Sequence, residues 1–167
     1  DRLDALCGEL EDRGAPKATP IAVDMDDLVE FAEAVREKVV EAGGVHVCVH
    51  NTGGPKAGPL LEMSAEDLVH VFGRHQVTAH FLVQALLPFM QSEGYGRFVN
   101  VLSTSAREPI ENLGLSNVVR AGLVGWAKTL AHELPPGVTI NNVLPGYTAT
   151  ERLDELKAAL SERTGRT

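Results

Sequence analysis

The sequence predicts an α/β protein in which a parallel sheet is covered by helices. Two observations predict it. Short apolar runs at 45–50, 97–102 and 138–144 alternate with amphipathic helical stretches. Those runs are apolar on both faces, the pattern of strands buried in a parallel sheet. With 167 residues and 17.9 kDa the chain is large enough for one domain with a core.

The elements follow in order. Leu3, Leu6 and Leu10 recur at helical spacing up to the stop signal Arg13-Gly14-Ala15-Pro16. Residues 19–23 form a short β-type run ending at Asp24. Leu28, Phe31, Ala32, Val35 and Val39 make a helical stripe that Gly43-Gly44 terminates. Strand 45–50 leads into the turn Asn51-Thr52-Gly53-Gly54-Pro55. Ser64-Ala65-Glu66-Asp67 is a helix start, and helical periodicity runs on to about residue 90 with a bend near Gly73. Strand 97–102, helix 113–134, strand 138–144 and a polar helix at 150–162 complete the chain.

Composition excludes several classes. Fifteen basic against 23 acidic residues give a net charge of −8, so neither nucleic acid nor an anionic membrane is the expected partner. No apolar stretch approaches the roughly 18 residues of a membrane span. Cys7 and Cys48 build no disulfide framework, and a reducing cytoplasm is the expected location.

Parallel sheets bind ligands beyond the carboxyl ends of their strands, which singles out Asp24, the 50–54 turn, Ser103 and the 145–150 loop. His46, Cys48 and His50 share one strand face. Three parallel side chains on one strand cannot wrap a tetrahedral ion, so no metal site is expected. Ser103 ends a buried strand. Ser116 and Arg120, four residues apart, share one face of the next helix. Pro145-Gly146 breaks the last strand before Thr148 and Thr150.

In order and spacing, these segments resemble the short-chain dehydrogenase/reductase family, in its ketoacyl-carrier-protein-reductase-like branch, over nearly the whole chain. His50-Asn51-Thr52-Gly53 stands where that family has Asn-Asn-Ala-Gly, and Asn100-Val101-Leu102-Ser103 matches its Asn-Ile-Ser-Ser. Ser103 precedes Ser116 by 13 residues, the family's separation between catalytic Ser and Tyr. Residues 120–125 with Lys128 look like the stretch after its catalytic Lys, and 141–150 like its nicotinamide-side loop.

The resemblance implies a doubly wound, Rossmann-like sheet and hydride transfer between NAD or NADP and a small carbonyl or alcohol, such as a 3-oxoacyl thioester. It implies that Asp24 contacts the adenine and that Asn51, Thr52 and Gly53 lie along the cofactor. Pro145, Gly146, Thr148 and Thr150 would hold the nicotinamide end, and Ser103 would bond the substrate carbonyl. The family Tyr falls on Ser116, its Lys on Arg120 and its helix Asn on Gln76. A serine is a far weaker acid than a tuned tyrosine, and a guanidinium cannot relay a proton as an ammonium does. His75 and Tyr147 are the substitute acids to consider. The second reading is therefore a non-catalytic relative that binds a dinucleotide or small ligand, or only self-associates. The family's first strand and glycine-rich phosphate turn would lie before Asp1, so a single domain over 1–167, incomplete at both ends, is expected. Apolar stripes on helices 68–90 and 113–134 match the surfaces by which this family forms homodimers or homotetramers.

Overall fold

The computed structural model describes residues 2–146. Three parallel strands form the sheet in the order β1 (Val47–His50), β2 (Gly96–Val101), β3 (Val138–Val143). The register aligns His50, Asn100 and Asn142 across the sheet at its carboxyl end. Each strand is joined to the next by a helical crossover, as parallel pairing requires. The helices are α1 (Arg2–Asp12), α2 (Leu28–Glu41), α3 (Ala65–Phe72), α4 (Thr78–Ser92) and α5 (Gly114–Ala131).

Local chemistry sets the helix starts. The Asp27 carboxylate accepts from the amides of Val29 and Glu30 at the head of α2. Ser64 and Asp67 form a reciprocal capping box on α3, and Lys56 pairs with Asp67 at 2.9 Å. The bend near Gly73 is a π turn, Gly73–Val77, which joins α3 to α4 in one continuous path. One extra residue in a turn rotates the following side chains, and such turns often sit at functional sites.

The main core lies on one sheet face. Phe98, Val138 and Ile140 meet Val83, Leu86 and Met90 of α4 and Ala127 of α5. Leu123 of α5 packs with Ala79 and Leu102 nearer the carboxyl end. The opposite face carries Val47, Val49 and Val143, all exposed among the described residues. Cover on both faces was the sequence expectation; within 2–146 it is seen on one. The polar helix expected at 150–162 lies outside the described residues.

One further expectation is corrected. Residues 19–23 form no strand, because no neighbouring strand among the described residues satisfies their backbone groups. Helix α1 forms as expected but buries none of its residues, leaving Leu3, Leu6 and Leu10 exposed.

The loop after β1 is tied to the head of α5. The Gly58 amide donates to the Asn112 carbonyl at 2.6 Å, and the Gly114 amide donates back to Gly58 at 3.1 Å. A Cβ on Gly114 would sit 2.7 Å from the Leu60 backbone nitrogen, so only glycine lets the two segments approach this closely. That contact fixes where Ser116, half a turn on, enters the site.

Candidate active site at the carboxyl end of the sheet

The helix α5 delivers Arg120 to the end of β2. Arg120 is buried, with 9% of its surface exposed. Its Nη1 donates to the carbonyls of Val101 (3.1 Å) and Leu102 (2.8 Å), and its Nε donates to Ser116 Oγ at 3.2 Å. One side chain thus joins the helix to the strand end immediately before Ser103. Ser103 Oγ accepts the Ser105 amide at 3.1 Å, so its own proton is free to donate elsewhere. Ser116 is placed alike: its oxygen accepts from a cation, which polarises its hydroxyl as a donor.

The end of β1 supplies a second set. Thr52 and His75 are both buried, and Thr52 Oγ1 lies 2.9 Å from His75 Nδ1. His75 Nε2 has no partner, and neither ring nitrogen of buried His50 makes a well-formed hydrogen bond. Asn100 lies beside His50 and donates its amide to Asn142 Oδ1 at 2.9 Å. Burial pushes the His75 pKa down to about 4, helped by the positive charges of Arg120 and Arg74 and by His50. Burial also lowers that of His50, opposed by Asn100 and reinforced by Arg120. Both rings are therefore neutral near pH 7.

Gln76 faces away from this group. Its Nε2 donates to the Val119 carbonyl on α5 at 2.9 Å, while its neighbour His75 reaches Thr52. The π turn makes this assignment, and periodicity read along the sequence does not resolve it. Asp24 is exposed, its Oδ1 accepting the Asp26 amide at 2.9 Å. Asp26 in turn pairs with His70 (3.0 Å) and Arg74 (3.3 Å), which holds the loop against the π turn. Asn51 and Gly53 are exposed, and the Pro145 carbonyl accepts the Thr104 amide at 3.1 Å. Thr148, Thr150 and Tyr147 lie outside the described residues.

A cavity of about 300 Å³ runs beneath Gly53 and Gly54 to His75, against Arg74 and Leu115. A larger one, about 600 Å³, lies between α2, α4 and residues 17–21, remote from these polar groups. The first adjoins the chemistry; the second does not. The sequence singles out the 50–54 turn but gives the His50 side chain no role of its own. Its position at the strand end, inside the His50-Asn51-Thr52-Gly53 segment, was the available signal.

A family profile described as short chain dehydrogenase matches residues 1–161. The chain belongs to the short chain dehydrogenase family. It is 33% identical over 164 residues to 2,3-dihydroxy-2,3-dihydro-p-cumate dehydrogenase of Pseudomonas putida, covering 96% of this chain and 62% of that one. To the 3-oxoacyl-[acyl-carrier-protein] reductase of Synechocystis it is 28% identical over 158 residues, covering 93% and 63%. The structure of L-sorbose reductase from Gluconobacter frateurii, complexed with NADPH and L-sorbose, superposes with a TM-score of 0.88 at 26% identity, covering 99% and 63%. The chain thus spans a little over three-fifths of the length of these relatives. The parallel sheet and its helices are those of a Rossmann-like fold.

Proposed function

We propose that this chain carries the reaction end of an NAD(P)-dependent oxidoreductase acting on a small carbonyl or alcohol. The observation that carries the reading is the junction built by Arg120, which ties Ser116 to the strand end before Ser103. A hydroxyl donor beside a buried cation suits an oxygen that gains negative charge during reaction.

The residues present fit the nicotinamide half of the cofactor. A Cβ on Gly53 or on Gly146 would meet nothing within 4 Å, so a flat ring has room against either backbone. Asn51, Gly53, Pro145 and Gly146 would hold it, with Asp24 toward the adenine. When bound, NADH or NADPH supplies the hydride to the carbonyl carbon. Ser103 then donates a hydrogen bond to the substrate oxygen as the carbonyl π pair settles on it. Arg120 stabilises that charge without giving up a proton. Ser116 is too weak an acid to complete the alcohol and His75 is neutral, so the last proton comes from solvent or from Tyr147.

The test is nicotinamide oxidation followed at its absorbance with a panel of small ketones, for the protein containing this chain. Carbonyl-dependent oxidation that falls in Ser103→Ala supports the reading. Oxidation that ignores every carbonyl in a folded protein removes it.

We further propose self-association as a homodimer or homotetramer. Val69 and Phe72 of α3 and Val118 of α5 are exposed apolar side chains on neighbouring helices, the kind of patch that marks a contact between copies. A reducing cytoplasm suits the two free thiols, Cys7 and Cys48. Among the described residues no helix is long and apolar enough to cross a membrane.

A further inference from the structure

Arg120 is a buried cation whose hydrogen-bond partners are all neutral: one hydroxyl and two backbone carbonyls. None of the ion pairs among the described residues involves it. The carboxylates in the neighbouring segments are engaged elsewhere, Asp67 with Lys56 and Asp26 with His70 and Arg74. The titratable groups beside it are Arg74, which Asp26 already balances, and the neutral rings of His50 and His75. In a chain of net charge −8, Arg120 is thus a mostly buried cation with no carboxylate partner among the described residues, and its Nη2 is not among the buried atoms left without a partner, so solvent and ligand reach it. A buried charge is ordinarily paired, because desolvation without a counter-ion is expensive.

The hydrogen-bond inventory says where a counter-ion fits. Nε and Nη1 are occupied, and the Nη2 amino group has no partner among the described residues. Ser116 Oγ, accepting from Nε, keeps its proton for a further acceptor. A neutral carbonyl needs only the hydroxyls. A two-oxygen anion uses both the free amino group and the hydroxyl, and it cancels the charge.

We propose that Arg120 Nη2 and Ser116 Oγ seat a carboxylate carried by the substrate, so that the site takes short hydroxy or oxo acids. The oxygen undergoing redox change then falls to Ser103. This rests on the oxidoreductase reading for the chemistry, but the seat is a binding property that can be measured without turnover. Anchoring β2 carbonyls explains Nη1 alone; it leaves an amino group without a partner and a cation without a carboxylate among the described residues.

The experiment compares 2-hydroxybutanoate and 3-hydroxybutanoate with their uncharged amides of the same shape, by calorimetry on the protein containing this chain. One of the acids is expected to bind about tenfold tighter than its amide, the difference shrinking in high salt. Ser116→Ala is expected to weaken the acid about fivefold and leave the amide unchanged, as loss of one charge-assisted hydrogen bond does. Arg120→Gln should abolish the preference. If that variant does not fold, the wild-type acid–amide comparison and Ser116→Ala decide the question. Equal binding of acid and amide, no binding of either, or an acid preference that survives Arg120→Gln overturns the proposal. Turnover of neutral ketones without an acid preference sinks this inference and leaves the oxidoreductase reading standing. An acid preference with no nicotinamide oxidation by any carbonyl does the reverse.

Discussion

Ser103 offers a donor whose loss is felt only as charge builds on the substrate oxygen. Ser103→Ala is expected to lower kcat by about 10²-fold with a smaller change in KM, since one transition-state donor carries roughly that much. Restoring the family pair, Ser116→Tyr with Arg120→Lys, supplies a tunable acid and is expected to raise kcat on a neutral ketone. A double variant no faster than its parent would show that proton supply does not limit the rate. The buried histidines make a separate prediction. His75 titrates near 6.5 when unfolded and at about 4 in the fold, so between those values the unfolded chain binds more protons. Its contribution to stability is complete above the unfolded value and is lost as pH falls toward the folded one. His50 shifts in the same direction. Urea unfolding is expected to show stability dropping by about 1 kcal/mol per pH unit below pH 6.5, a slope that His75→Gln reduces.

Elements place these residues by caps, turns and one close approach. The Ser64 box holds the head of α3, and Ser64→Ala is expected to cost about 1 kcal/mol in denaturant unfolding, with activity intact. Gly114 acts differently, because its lack of a side chain admits the Leu60 backbone at the head of α5. Gly114→Ala is expected to cost about 1–3 kcal/mol through overpacking. It should also lower kcat, since Ser116 and Arg120 ride on the displaced turn. Comparing the two variants separates simple loss of stability from displacement of the site. If Gly114→Ala lost stability and kept full kcat, the 58–63 loop would not position Ser116.

At the scale of the molecule, the described residues cover one face of a three-stranded sheet and leave apolar side chains on the outer faces of α3 and α5. Each square ångström of apolar surface removed from water contributes roughly 25 cal/mol, so a contact of ordinary size holds two copies at micromolar concentration. Light scattering at tens of micromolar is expected to report at least twice the 17.9 kDa of one chain. Val69→Glu with Phe72→Glu should return it to the single-chain mass. A wild-type species at that single-chain mass would end the proposal of self-association.

The succession of strands and helices was legible because periodicity and caps are local properties of the chain. Phe98, Ile140, Leu86 and Leu123 announce themselves as core by spacing, and Ser103 by its position where a strand stops. Family membership was legible from ordered segments, since their spacing survives substitution of single residues. Residues 19–23 misled because β-propensity names a candidate, while a partner's hydrogen bonds make a strand. The choice between Gln76 and His75 belonged to the π turn, whose extra residue rotates both by a fraction of a turn that no pattern records. Arg120 in the sequence is one helix cation, indistinguishable from a solvated one. Its desolvation, its neutral partners and its closeness to His50 and His75 depend on contacts between segments distant in the chain. Charge and burial act through space, so only the tertiary structure decided where this positive centre lies.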